Sequence, residues 1–478
     1  MTNCETQVIS ELPGEAGGLK SGMDLTDGSV SKRLLFFSLP FLLSSVAQAL
    51  YSLADMLIVG RFHVAGGFIA VYTGGQITII VTNFVMGFAL GGTVLIAQYV
   101  GAKRDAELHE IVGTLFTSIM IAAVALTALG IAFARPLILL IGTPAEAVDA
   151  TVRYVVICMA GNIFVFGFNA ISAVMRGLGD SVRPLIIVSA ACVLSAGLDL
   201  LLVGACGLGV DGAAYSTVFA QGLCMFAAVF YLYKSKFVFG FKFKSFRIHK
   251  EKLRALIKIG FPTSLQNIIA SVSFLVLIAL LNRLGAAANG GAGICTKINS
   301  IAILPAVSMG MAVASMVGQN IGAREYARAK RTALLGACYS MIVGIFVFAA
   351  VSVFPRFLIG MFDPAPKEAE MALSYLKTFR WDYLIVPLLF ALMGLVNGSG
   401  HTFVTMVCLV SCSLLFRWTF ALWFGFGLGL GVAGIGLAVP ATSVCALLIL
   451  SVYTATGRWK KSTVFQKSGQ RIKETVKL

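Results

Sequence analysis

Long apolar runs, each about the length that crosses a hydrocarbon layer, recur along almost the whole chain and are parted by short polar or basic segments. Twelve such runs are predicted as helices, at 34–59, 70–99, 111–133, 150–175, 182–204, 209–233, 256–281, 292–321, 332–354, 371–396, 402–424 and 432–455. The fold class expected is an all-α polytopic membrane protein. Within the first run the pattern is broken by a carboxylate: Asp55 shares a helical face with Ser44, Gln48 and Tyr51. An acid in hydrocarbon is costly unless it is protonated, paired or facing a wet cavity, so Asp55 marks a candidate functional site. Pro40 lies on the same helix, where the missing amide hydrogen removes one backbone bond and permits bending.

The polar punctuation repeats. Pro40 is echoed by Pro262, Gln98–Lys103 (QYVGAK) by Gln319–Arg324 (QNIGAR), and Arg176–Asp180 (RGLGD) by Asn397–His401 (NGSGH). Gly207–Gly212 (GLGVDG) returns as Gly429–Gly434 (GLGVAG), at almost the same offset. The chain therefore reads as two halves of six helices. Because six is even, both halves start on the same side, making them parallel repeats with a cavity expected between them. The divisions expected are a tail (1–30), an N-terminal lobe (31–235), a linker (236–252), a C-terminal lobe (253–458) and a basic tail (459–478).

The halves differ in their acids. The repeat places Leu277 where the first half has Asp55, and an apolar residue, Phe420 or Ala421, where it has Asp199. Asp199 precedes Gly204 by as many residues as Asp55 precedes Gly60, so the two acids should lie at one depth. Ser195, one turn before Asp199, and Thr217, on the returning sixth helix, should bring hydroxyls near them. A proton or sodium site in the N-terminal lobe is the functional expectation; two separately capped acids near the surface is the alternative. Gln266 lies on a polar stripe of the seventh helix and is expected, with Gln48 and Tyr51, to border the substrate cavity. Lys297 and Arg417 are expected to make structural contacts to carbonyls, with binding of an anionic group or snorkelling as the alternatives, and Lys377, Arg380 and Asp382 to satisfy one another locally. Asp211 suits a helix N-terminus.

Composition supports the class: 58% of residues are hydrophobic and 12% charged, against roughly a quarter charged in soluble domains. The net charge of +16 does not imply nucleic acid, since the basic residues fall in loops too short to fold. Lys and Arg crowd the tails and the loops around 103, 176–183, 234–254 and 324–331, with few on the other side. The positive-inside rule then puts both termini in the cytoplasm. The chain's ten cysteines form no CxxC pair and read as apolar thiols. Neither HExxH nor GxxxxGK[ST] occurs, so neither a zinc protease nor an ATP-driven pump is encoded. No enzyme activity, cofactor or resident metal is expected.

The surroundings of Pro40, LADMLIVG around Asp55, AQYVGAKR with its echo GQNIGARE, and LDLLLVGACGLGVDGAAYST from Leu198 to Thr217 resemble the multidrug and toxic compound extrusion (MATE) family over residues 31 to 458. The acids of the first and fifth helices are similar to those of its DinF-like branch. The resemblance implies a twelve-helix plasma-membrane antiporter, monomeric, that exports organic, often cationic or amphipathic, compounds against a proton or sodium gradient. It further implies that Asp55, Asp199, Ala213 and Thr217 form the cation site, with Pro40 bending the first helix. Ser195 departs from the pattern, which often has Asn there. That shorter arm favours protons over sodium as the coupling ion. A lipid-linked-precursor flippase of the same superfamily would want several cavity-facing cations, and a membrane scaffold would need neither acid.

Overall fold

The computed structural model describes residues 23–62, 67–234 and 246–461. Most of the first tail, the core of the linker and nearly all of the last tail lie outside the described residues.

The first half comprises α1 (Val30–Arg61), α2 (Gly67–Gly101), α3 (Asp105–Leu140), α4 (Ala145–Gly177), α5 (Val182–Asp199) and α6 (Gly209–Lys234). A wide π-helical turn, Leu200–Ala205, prolongs α5. The second half begins with α7 (Lys250–Arg283). Its next span is split into α8 (Ala286–Ala302) and α9 (Leu304–Gly322), bent by 40°. After α10 (Tyr326–Val353) and the short α11 (Pro355–Gly360), a second split span consists of α12 (Pro366–Phe379) and α13 (Asp382–Gly398), bent by 49°. The chain then runs through α14 (Thr402–Ser411), α15 (Arg417–Leu422) and α16 (Gly431–Ala455), with π-helical turns at Cys412–Phe416 and Trp423–Gly427 around α15.

Among the described residues ten helices are thus long and apolar enough to cross a membrane, and counting each bent pair as one span gives twelve. The straight spans expected over 292–321 and 371–396 are corrected to broken ones. Pro305 explains the first break, since a proline two residues into α9 cannot donate back to the preceding turn. The second falls at Arg380 and Trp381, whose side chains stack together over Phe348.

The repeat is written in the backbone as well as in the residue types. Left-handed conformations recur in pairs: Lys103 and Arg324 (φ 54° and 63°), Gly179 and Gly400 (88° and 86°), Gly207 and Gly429 (66° and 68°). The π-helical turn after Asp199 likewise has its counterpart at Trp423–Gly427.

The halves meet along matching seams, α2 against α7 and α9 against α1, with α2 also packed on α9. Small residues allow the approach: a Cβ on Gly91 would lie 2.4 Å from the Gly260 Cα. At the end bearing the basic loops the seam is closed by a reciprocal pair of amides. Gln98 Nε2 donates to Gly398 O at 2.8 Å, and Gln319 Nε2 to Gly177 O at 3.0 Å. Each thereby satisfies a carbonyl left over at the C-terminus of a helix in the other half. Residues 23–28 cross this closure: Met23 N donates to Gly179 O, while Leu25 N donates to Gln319 Oε1 and Leu25 O accepts from Asn320 and Arg328.

Candidate functional site

On α1, Pro40 sits inside an unbroken helix, and its carbonyl accepts from Ser44 Oγ at 2.7 Å. Three turns on, Tyr51 points toward the first-half bundle, where its hydroxyl meets Thr217 Oγ1 of α6 at 2.7 Å. Ser195 of α5 is also within reach of that hydroxyl, and both Asp55 and Asp199 face it. The structure therefore gathers Tyr51, Asp55, Ser195, Asp199 and Thr217 from three helices.

Both acids are removed from solvent, Asp55 at 8% exposure and Asp199 at 0%. Asp199 accepts a hydrogen bond from Ser216 Oγ through one oxygen; its Oδ2, like Asp55 Oδ1 and Ser195 Oγ, has no protein partner among the described residues. No ion pair among the described residues involves either acid. Ala213, fully buried, contributes its carbonyl, which already accepts from Ser216 Oγ at 2.9 Å and Thr217 Oγ1 at 3.0 Å. Asp199 closes the regular part of α5 just where the π-helical turn begins, a break of a kind often found at functional sites.

Asp55 and Tyr51 border a cavity of about 410 Å³ walled by α1, α2, α4, α6 and α8. A second cavity of about 290 Å³, lined on the opposite side by Gln266, Asn267 and Asn397, shares Asn83 and Met86 with the first. The two cavities are thus neighbours. Gln266 is in the wall of the second as expected, with Oε1 unpartnered. Gln48 is corrected: its amide turns back to Ser44 O at 3.2 Å, and it lines neither of these cavities.

Several residues escaped the sequence reading. Ser216, not Thr217, bonds Asp199; the tandem Ser216-Thr217 was the available signal, since adjacent helical residues face neighbouring helices. Tyr154 and Cys158, one turn apart on α4, lie beside Asp55 and line the first cavity. Lys297 also lines that cavity. Asp211 lies in the first turn of α6, as expected, and also pairs with Arg153 at 3.2 Å.

The second half has rebuilt the equivalent position. The repeat sets Ser273, Arg417, Leu277 and Ala421 where the first half has Tyr51, Ser195, Asp55 and Asp199. Arg417 Nη1 donates to Ser273 Oγ at 3.2 Å and its guanidinium lies 4.9 Å from the Phe274 ring centre. Asp382 is turned toward Arg417 and Ser443. The local cluster expected of Lys377, Arg380 and Asp382 is therefore corrected: α13 starts at Asp382, beyond the bend that carries Arg380 away over Phe348 and Trp381.

Comparison with known proteins agrees with this architecture. The MatE family model matches twice, at residues 40–201 and 262–423, one match in each half. A probable multidrug resistance protein of Bacillus subtilis, YpnP, is 29% identical over 444 residues, covering 92% of this chain and 98% of its own length. A multidrug resistance MATE transporter of the MOP superfamily, solved in an outward-facing conformation, superposes with a TM-score of 0.88 at 20% identity, over 93% of this chain and all of that one. A MOP superfamily transporter from Pyrococcus furiosus superposes at 0.87 with 21% identity, over 93% of this chain and 100% of that one. With a family match in each half and a fold to suit, the chain belongs to the MatE family of multi-pass membrane transporters.

Proposed function

We propose that this protein is a secondary antiporter of the plasma membrane, exporting amphipathic organic compounds, commonly cationic, in exchange for protons. The observation that carries the reading is the pair of buried acids, Asp55 and Asp199, held in one half beside the central cavity with no cationic side chain bonded to them among the described residues. Two such carboxylates repel each other in a medium that screens poorly. Uptake of a proton, or approach of a cationic substrate, relieves the same repulsion, and that shared remedy makes the two ligands competitors.

With the cavity open away from the basic end, a proton arriving at Asp55 or Asp199 neutralises the attraction that holds a cationic substrate, which leaves outward. Ser216 bonds Asp199, and the paired hydroxyls of Tyr51 and Thr217 lie beside both acids, so loading either acid alters the packing of α1 against α5 and α6. Pro40 supplies α1 with the compliance to bend. Release of the Gln98 and Gln319 contacts then opens the basic end, and substrate bound from that side displaces the proton. Differential affinity of the two states for the two ligands drives the cycle. Both termini are cytoplasmic on this reading, since the basic loops gather at their end.

Protons fit the donor set better than sodium. A sodium ion needs several free oxygens, and here Thr217 Oγ1 and the Ala213 carbonyl are engaged by protein partners while Ser195 offers only a short arm. The test is dye efflux from proteoliposomes under a pH gradient without sodium, then under a sodium gradient without a pH gradient. Transport in the first condition, abolished in Asp55→Asn and Asp199→Asn, is expected. Transport only in the second would replace protons by sodium.

A further inference from the structure

Lys297 stands apart from the machinery above. It projects from α8 of the second half into the cavity that Asp55 borders, and its ammonium lies 5.7 Å from the ring centre of Tyr72 on α2, across the gap between halves. Among the described residues no carboxylate forms an ion pair with it, while the ion pairs of Arg104, Arg135, Arg153, Arg183 and Lys252 lie at the helix ends. A charge inside a membrane-embedded cavity is held at a cost that a cation–π contact offsets only in part. The wall around it offers neutral amides, including Gln76, Asn83 and Gln221, with Asp55 the one acid among the residues lining this cavity. The cavity is therefore dipolar, with a carboxylate on the first-half wall and an ammonium on the second-half side.

We propose that Lys297 is a specificity-determining residue that receives the anionic group of the substrate, so that the cavity is built for aromatic zwitterions bearing a carboxylate as well as a cationic nitrogen. The inference rests on the cavity being the substrate site of the antiporter. The two ends then have separate duties. Asp55 exchanges the substrate's cationic group for the coupling proton, whereas Lys297 selects what enters. Tyr72 and Tyr51 supply ring faces for the flat body between the two charged groups.

A matched pair of dyes isolates the anionic group: rhodamine 19 is a zwitterion with a free carboxylate, and rhodamine 6G is its ethyl ester. Dissociation constants for both are measured by fluorescence anisotropy on the purified full chain at neutral pH, for the wild type, Lys297→Gln and Lys297→Arg. Loss of one charge-assisted contact should shift the ratio of the two constants against rhodamine 19 by roughly ten- to a hundredfold in Lys297→Gln. Lys297→Arg should keep the wild-type ratio, and rhodamine 6G binding should be nearly unchanged in both variants. An unchanged ratio in Lys297→Gln overturns the proposal, as does equal weakening of the two dyes. Gradient-driven efflux of rhodamine 6G by the wild type, measured in parallel, tests the antiporter reading separately: its absence with the binding ratio intact would refute coupling and leave the role of Lys297 standing.

Discussion

The reciprocal amides at the basic end make a latch whose strength can be worked out. Gln319 is 1% exposed, donates to Gly177 O at 3.0 Å and accepts from Leu25 N at 3.1 Å. Replacing it with Leu keeps most of the volume and removes both bonds. Each net bond contributes about 1 kcal/mol, and stranding the buried Gly177 carbonyl and Leu25 amide adds roughly as much again for each. The closed arrangement should therefore lose about 2–4 kcal/mol relative to one in which water reaches these groups. At 1.4 kcal/mol per factor of ten, that raises the population open at the basic end by roughly 30- to 1,000-fold. Hydrogen–deuterium exchange resolves it by region. Amides at the C-terminal turns of α2, α4 and α9 in Gln319→Leu should exchange faster by about that factor, while those along α16 stay as in the wild type. Exchange within threefold of wild type at all three turns would refute the latch, and uniform acceleration through the chain would mean that the substitution loosens the whole fold instead.

Other expectations follow from the same geometry. Gly101→Val should be worse than Gln319→Leu, since a Cβ there would sit 1.8 Å from the Gln319 carbonyl oxygen; detergent-solubilised protein should melt several degrees lower, and an unchanged melting temperature would contradict the close approach. Ser216→Ala removes the hydroxyl bonded to Asp199 and should move the pH dependence of efflux while leaving rhodamine 6G binding within a fewfold; an unmoved profile would take Ser216 out of the coupling site. Leu277→Asn, at the repeat position of Asp55, should be mild in efflux assays, whereas a loss as severe as that of Asp55→Asn would argue for a second site. For orientation, an impermeant thiol reagent applied to intact cells should modify a cysteine placed at Arg61 and spare one at Lys242, and the reverse pattern would invert the topology.

The spans were legible because a membrane enforces a simple rule: backbone polar groups must be satisfied within the helix, so apolar length alone marks the crossing. The repeat was legible because its punctuation is stereochemical, with Gly179 and Gly400 holding the same left-handed turn. Asp55 and Asp199 announced themselves by cost. What periodicity does not carry is the choice of neighbour. Gln48 shares a helical face with Asp55, yet its amide closes on its own helix because Ser44 O is within reach. Asp382 is two residues from Arg380 in sequence, but the bend between α12 and α13 sends them to different surroundings. The break at Pro305 was present in the sequence as an ordinary helix-breaking signal inside a long apolar run. Lys297 was legible only as a charge inside a span, with anion binding one option among three; that it faces the cavity depends on the bend between α8 and α9.

Under the proton exchange proposed above, the confinement of both acids to one half also sets a ceiling on pumping. Two carboxylates accept at most two protons per cycle, and each proton entering the cell releases about 1.4 kcal/mol per pH unit and about 2.3 kcal/mol per 100 mV of membrane potential. A monovalent cation leaving against that potential gives back one of the two charges, so a gradient of one pH unit and 100 mV can sustain about 5 kcal/mol of work on it, a concentration ratio of several thousand. A zwitterion carries no net charge outward and forfeits nothing. The same two protons then supply about 7 kcal/mol, enough for a ratio above a hundred thousand. In a protein whose cavity wears an ammonium opposite its carboxylate, the compounds best held would also be those expelled against the steepest gradient.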